Sequence, residues 1–132
     1  MRILHCIASI DNAYGGPAVA ARGLCGALQE KGLRIALLTG SSGNHRRDQE
    51  HKSLLPGVDI FWSRPLVKRY RWDPSLSALL KSKLKQFDAI HVHGLFNGLS
   101  IDACHAARVG NKPYLLEPFG TLSDYCLQKN KL

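Results

Sequence analysis

The sequence predicts an α/β protein built on one Rossmann-like, doubly wound parallel sheet of about five strands. Short apolar runs bounded by turn residues recur along the chain, as expected of buried parallel strands. Segments with apolar residues at helical spacing lie between most of these runs. Because crossovers in such sheets are right-handed, the strands should follow the order 3-2-1-4-5, with the first beside the fourth.

The first strand–loop–helix unit spans residues 2–31 and carries Gly15-Gly16-Pro17 between its strand and its helix. Two glycines allow a tight turn, and Pro17 suits the first helical position because its missing amide costs nothing there. The amides of such a helix N-terminus favour an anion, typically a phosphate or a carboxylate. A plain connecting turn is the alternative, since the dinucleotide fingerprint G-x-G-x-x-G and the Walker motif are both absent.

The remaining elements follow from apolar runs and helix-capping signals. Residues 40–57 form a long polar connection that is either functional or partly disordered. Asp73-Pro74 should begin a helix, with Asp73 as its N-cap. The other predicted elements are strands at residues 34–39, 58–62, 89–93 and 114–117, a helix at residues 98–109, and a helix opening within residues 122–132.

Composition limits the class of protein. The 132 residues suffice for one domain with a core, and 45% of them are hydrophobic, with no run long enough to span a membrane. The four cysteines form no C-x-x-C pair, so we expect buried thiols in a reducing compartment and no structural zinc site.

The net charge of +8 is concentrated in residues 45–86, which contain ten lysines and arginines but only four acidic residues. This favours a phospholipid, nucleic-acid or phosphorylated partner.

Residues 64–72 alternate basic and aromatic side chains, with Lys68, Arg69 and Arg71 around Tyr70 and Trp72. The rings could stack on bases or lie at a membrane interface. A surface loop whose aromatic rings pack onto the core is the alternative. The helix that follows adds two lysines one turn apart, Lys81 and Lys85.

Polar residues also fall at the carboxyl ends of the predicted strands. His93, which ends the fourth strand, could act as an acid–base group or hydrogen-bond a substrate hydroxyl. Asp11 and Glu117 could orient such a hydroxyl or accept its proton, or they could cap a loop or helix. His91 should be a core histidine. Because no third ligand is evident beside this His-x-His pair, we expect no metal ion.

Five segments occur in a characteristic order: M-R-I-L-H-x-I-A-S-I-D-x-x-Y-G-G-P-A, an Ala-rich helix, G-L-R-I-A-L-L-T-G, D-A-I-H-V-H-G-L-F-N and K-P-Y-L-L-E-P-F-G-T-L. Together they resemble the N-terminal, acceptor-side domain of family-four (group 1) glycosyltransferases of the GT-B fold. The likeness covers nearly the whole chain, and five motifs in register are far more specific than any one of them.

The resemblance implies a retaining transferase that moves a sugar from a nucleotide-sugar donor to a glycan or lipid-linked acceptor, without a metal ion or other cofactor. Such enzymes often build bacterial surface polysaccharides or glycolipids, so we expect a cytoplasmic protein, peripheral at the inner membrane. The Gly15-Gly16 loop would approach the donor diphosphate. The expected catalytic residues are His93, Asp11 and Glu117, and the expected acceptor or membrane surface comprises Lys68, Arg69, Arg71 and Trp72.

Two departures from the family pattern bear on activity. Where the family commonly has S-P-H-G-M-L, this chain has E-P-F-G-T-L, so Phe119 replaces the histidine that lines the donor-sugar site. The second Rossmann-like domain, with its E-x7-E motif and most of the nucleotide site, is not expected in residues 1–132, which form a single domain. We therefore expect the chain alone to be inactive, as a truncated enzyme or one that works with a separate donor domain.

The sequence leaves two other functions open. The first is a non-catalytic, degenerate module that binds a carbohydrate or a membrane. The second is a nucleic-acid-binding domain, which the charge alone suggests; because no nucleic-acid-binding motif is present, we do not expect this partner.

Overall fold

The computed structural model of the chain describes residues 1–67, 70 and 72–129. Its centre is a five-stranded parallel sheet in the order β3-β2-β1-β4-β5, which confirms the predicted class and strand order. The strands are β1 Arg2–Ile7, β2 Arg34–Gly40, β3 Asp59–Ser63, β4 Ala89–His93 and β5 Tyr114–Glu117. The helices are α1 Gly16–Glu30, α2 His45–Ser53, α3 Leu76–Lys83, α4 Gly98–Val109 and α5 Asp124–Lys129.

The side chains of the sheet divide between two apolar cores, one on each face. The first core joins alternate residues of β1 and β4, such as Leu4 and Val92, to the apolar sides of α3 and α4. The second joins Ile7 and Leu37 to Ala21 and Cys25 of α1. Since successive strand residues point to opposite faces, this division fixes the face on which every polar strand residue lies.

The turn between β1 and α1 uses only one of its two glycines for a special backbone conformation. Gly15 has φ 84° and ψ −151°, a region that residues with a side chain rarely enter. Gly16 is the first residue of α1, and Pro17 lies in its first turn. The chain then leaves α1 at Gly32, which also has a positive φ of 84°.

Helix α2 lies inside residues 40–57, where the sequence predicted a long loop or disorder. The irregular conformation was wrong, and the helix was missed because α2 has no buried residues and therefore no apolar periodicity to detect. Polar contacts hold it instead. The Asn44 side chain caps it by accepting from the amides of Arg46 and Arg47, and Arg46 pairs with Glu50 one turn later.

Asp73 does not cap α3, which begins at Leu76 after Ser75. The Asp73 carboxylate instead accepts hydrogen bonds from the Arg64 amide and from the amide and hydroxyl of Ser75. It thereby closes the loop between β3 and α3. The strand β3 is also shifted by one residue from the predicted range and ends at Ser63.

The cysteines in the described chain are free thiols; Cys6 and Cys25 are fully buried, as expected, whereas Cys104 and Cys126 are only half-buried. Burial raises the pKa of Cys25 to about 12, and it raises the pKa of Cys6 as well. These thiols act as small apolar side chains of the two cores. Within the described residues, no helix combines the length and the apolar character needed to cross a bilayer.

Replacing Gly15 by alanine should destabilise the protein by about 1–3 kcal/mol, because alanine would be held in a backbone region that is nearly exclusive to glycine. The matched control is Gly16→Ala, which places alanine in a helix and should be neutral or slightly stabilising. A Cβ at either position meets no atom within 4 Å, so the pair of variants isolates backbone strain. Urea unfolding measures both, and equal effects would contradict the assignment.

Candidate functional site

A polar groove runs along the carboxyl edge of β1, β2 and β3. One cavity of about 270 Å³ lies between the loops after β1 and β2 and is lined by Ser9, Asp11, Ala13, Tyr14, Ser41, Ser42 and Arg47. A second, of about 450 Å³, shares Ser41 and continues to Arg64 and Leu66 after β3. The two cavities adjoin at Ser41 and are together called the polar groove; they lie at the edge where open parallel sheets bind their ligands.

Asp11 lies in this groove and links the loop after β1 to α2. Its carboxylate accepts from the Ala13 amide at 2.9 Å and lies 3.3 Å from the Arg47 guanidinium. The Ala13 hydrogen bond, and then the charges of Arg47 and His51, lower the pKa of Asp11. Asp11 is therefore an ionised hydrogen-bond acceptor at neutral pH.

Asp48 of α2 builds the floor of the same groove. It accepts the Ser41 hydroxyl at 2.6 Å and the Ser42 amide at 2.9 Å. Burial opposes ionisation of Asp48, but these hydrogen bonds outweigh burial and lower its pKa. The loop after β2 is thus fixed by a charged residue of the helix that the sequence did not reveal.

The N-terminus of α1 lies beside the groove. Its N-cap residue is Gly15, which has no side chain to cap the helix, whereas Asn97 caps α4 by accepting from the Ser100 amide. Tyr14, just before α1, lies close to Gly94: a Cβ on that glycine would be 3.8 Å from the Tyr14 hydroxyl. The loops after β1 and β4 therefore meet at the predicted switch point of the sheet.

A second polar cluster lies under the β4 and β5 part of the edge, on the face of the sheet that α1 partly covers. His93 Nδ1 is 3.1 Å from Glu117 Oε2, and His93 Nε2 is 2.9 Å from His5 Nδ1. His91 Nε2 lies 3.3 Å from the same Glu117 oxygen. The Phe119 ring stacks on the outer side, with its centroid 6.1 Å from that of His93.

These histidines are neutral at physiological pH. Burial, then the neighbouring histidines His93 and His91, lower the pKa of His5 to about 3. Burial, with His91 as a further cause, lowers the pKa of His93 to about 3 as well. Burial also lowers the pKa of His91, although the Glu117 carboxylate offsets part of this effect. The cluster thus offers neutral imidazoles beside one carboxylate.

The residues singled out in the sequence fall into separate groups. His93 and Glu117 are in contact, whereas the contacts of Asp11 run to α2 on the other side of β1. Trp72 is 49% exposed at the end of the loop after β3. Lys68, Arg69 and Arg71 lie outside the described residues.

Sequence reasoning missed His5 and Asp48. His5 pairs in register with His91 across β1 and β4, so the predicted strand order together with the two-residue strand period could have placed them side by side. For Asp48, the signal was Asn44, a good N-cap at the head of a segment of helix formers.

Comparison with known proteins connects this geometry to a family. The profile of Glycosyltransferase Family 4 matches residues 14–124. The fold is similar to that of HepE from Anabaena, a crystal structure in complex with UDP and glucose, with a TM-score of 0.58 and 14% identity. The match covers 88% of this chain but 29% of HepE. Among curated proteins, none matches the chain significantly.

The buried histidines should make the protein sensitive to mild acid. The unfolded chain takes up protons near the ordinary histidine pKa of 6.5, whereas folded His5 and His93 resist protonation until about pH 3. Stability should therefore fall as the pH drops below 6.5, by up to about 1.4 kcal/mol per pH unit for each histidine. Urea unfolding between pH 8 and 5 in chelator-treated buffer tests this. His5→Gln should show a shallower slope than the surface variant His105→Gln, and a flat profile would contradict the assignment.

Proposed function

Because the chain belongs to glycosyltransferase family 4, we propose that it is the acceptor-side half of a retaining sugar transferase that uses a nucleotide-sugar donor. The observation that carries this proposal is the polar groove at the carboxyl edge of the sheet, beside the uncapped N-terminus of α1. The serine, aspartate and arginine side chains of its walls suit an acceptor rich in hydroxyl groups, and the open helix end suits an anion.

The acceptor is proposed to occupy the groove. Asp11, ionised and held by Ala13 and Arg47, is placed to accept a hydrogen bond from an acceptor hydroxyl. Arg64 and Arg47, which each line one of the two cavities, suit a glycan or lipid-linked acceptor that carries a negative charge.

The donor diphosphate is proposed to approach Gly15 and Gly16. The first turn of α1 carries no acidic residue that would repel phosphate, and the glycines present no side chain to obstruct it. Binding of UDP and glucose is a property of the HepE structure. For this chain, we propose a nucleoside diphosphate sugar as the donor class.

His93 is proposed to act through Glu117. Both ring nitrogens of His93 are occupied within the protein, by His5 and by Glu117, so it is a positioning residue rather than a group that touches substrate. Glu117, whose side chain is 41% exposed, is the member of this pair that can reach a ligand. We therefore assign Glu117 and Asp11 to the substrate and His93 to the orientation of Glu117.

A donor domain, in the same polypeptide or a separate one, is proposed as the essential partner. Transfer requires donor and acceptor to be held in line, and positioning of this kind lowers a barrier by roughly 7–11 kcal/mol. One Rossmann-like domain supplies a single wall of that cleft. Phe119 further replaces a hydrogen-bonding histidine of the family by an apolar ring.

The chain of residues 1–132 alone should not release nucleoside diphosphate from common nucleotide sugars, UDP-glucose included, above the rate in buffer. Fusion to the donor domain of a family member should give turnover. In the fusion, Asp11→Asn should lower kcat/KM by roughly 100-fold or more, whereas the matched surface change Asp59→Asn should not. Turnover by the chain alone would overturn the proposal of an enzyme half.

The same fusion distinguishes the alternative, a degenerate binding module. Phe119→His retains the left-handed backbone of that position, φ 52°, which histidine enters more readily than most residues. If the fusion is active only with this substitution, the defect lies in that loop. Glycan binding by a fusion that is inactive with and without it would establish the non-catalytic module.

An anionic membrane surface is proposed as a second partner, which would place the protein in the cytoplasm, peripheral at the inner membrane. Leu66, Tyr70 and Trp72 are exposed by 72%, 56% and 49% in the loop that precedes α3. A cavity of about 410 Å³ between α3 and α4 is lined by apolar side chains, by three lysines, Lys81, Lys85 and Lys112, and by Ser77, Asp102 and His105. Exposed aromatic and apolar side chains before the start of α3, together with lysines towards its end, suit an anionic interface that lies along this helix.

Replacing Lys81 and Lys85 together by glutamine should weaken binding to anionic vesicles roughly 10- to 30-fold, since each basic residue near such a surface contributes about 1 kcal/mol. Lys31→Gln with Lys52→Gln removes the same charge from the end of α1 and from α2, which do not line that cavity, and is the matched control. Sedimentation with phosphatidylglycerol vesicles measures the effect. Equal loss in both variants, or equal binding to neutral vesicles, would exclude this surface.

A further inference from the structure

Three histidines from two neighbouring strands converge beneath the edge of the sheet. His5 of β1 is paired with His91 of β4, and His93 follows on the same face two residues later. One ring nitrogen from each of the three lies within 4.8 Å of the other two. His5 and His93 are buried, and the His91 side chain is 14% exposed.

The hydrogen bonds of the cluster determine where its protons lie. The Glu117 carboxylate only accepts, so Nδ1 of His93 carries a proton and Nε2 of His93 is an acceptor. Nδ1 of His5 must then donate to His93. Nε2 of His5 is therefore unprotonated. It is fully buried and has no hydrogen-bond partner among the described residues.

His91 is the second imidazole with unused capacity. Its Nε2 lies 3.3 Å from Glu117, yet it is not aligned for a hydrogen bond with any described residue. Among the described residues, Nε2 of His5 has no partner, and Nε2 of His91 has only a poorly aligned contact with Glu117. Buried polar atoms normally have partners, so the exceptions point to a ligand that supplies them.

The cluster is accessible from the face of the sheet beside α1. A cavity of about 290 Å³ reaches His5 and His91 and is walled by apolar side chains, among them Ile3, Leu28 and Leu115. Such a shell excludes competing anions and keeps the imidazoles neutral, which is the form that binds metals.

We propose that His5, His91 and His93 bind one divalent transition-metal ion of the zinc class. Neutral imidazoles prefer such ions to magnesium or calcium. Tetrahedral ligation places ligand nitrogens about 3.4 Å apart, so separations of up to 4.8 Å need to contract modestly. The 2.9 Å contact between His5 and His93 must open, so that both lone pairs face the ion.

Glu117 would hold one ligand of this site, His93, in place by a hydrogen bond. It already accepts from Nδ1 of His93, which is the arrangement by which carboxylates fix the tautomer and orientation of a metal-bound histidine. The proposal does not depend on sugar transfer, because its test measures metal binding and His5, His91 and His93 do not line the two cavities of the polar groove.

The test is a titration of the chelator-treated protein with Co²⁺ and Zn²⁺. Co²⁺ should give the visible ligand-field bands of a low-symmetry nitrogen site at one equivalent, and Zn²⁺ should displace it in isothermal titration. His91→Gln, at the partly open position, should weaken Zn²⁺ binding roughly 10- to 100-fold. His105→Gln, a surface histidine of α4, is the matched control and should bind as the parent does.

Folding of each variant is checked by far-UV circular dichroism, and His93→Gln provides a second ligand variant if His91→Gln does not fold. Three results would overturn the proposal: no saturable binding, equal weakening by His105→Gln, or a thiolate-to-cobalt charge-transfer band. The last would assign the ion to the cysteines rather than to the histidines.

Discussion

Strand β1 is paired with β2 on one side and with β4 on the other, and the geometry of the rest of the chain depends on this pairing. β2 binds it along its full length and β4 along most of it, and Leu4, Cys6 and Ile7 are completely buried. The chain leaving β1 therefore emerges at a fixed point, where it enters the polar groove and then α1. The position of β1 also determines which residues of β4 meet it, and hence which polar side chains share a face.

The sequence was sufficient for the architecture because the strands are continuous apolar runs and the helices that cover them are amphipathic. The strand order then followed from handedness. It was insufficient for α2, whose stability comes from Asn44, Asp48 and their partners rather than from burial. Asp73 was misread for a related reason: a good N-cap residue was used across a loop, to hold Arg64, instead of at a helix end.

The polar residues were harder to place than the core. His93 and Glu117 could be assigned to one edge from the sequence, but their mutual contact depends on the register of β4 and β5. His5 was overlooked because it is isolated in the sequence from the other two histidines, and only the parallel pairing of β1 and β4 brings them together. The position of His93 at a strand end suggested a catalytic role. The sequence could not show that both ring nitrogens of His93 are already in contact with His5 and Glu117.

Helix α2 has a consequence for how this protein can change during evolution. It contributes no residue to either core, yet its side chains form one wall and part of the floor of the groove. Substitutions in α2 can therefore alter what the groove accepts while the packing of the sheet stays intact. Stability and selectivity are encoded by different residues, so a lineage carrying this fold can diversify its ligands without first acquiring a more stable core.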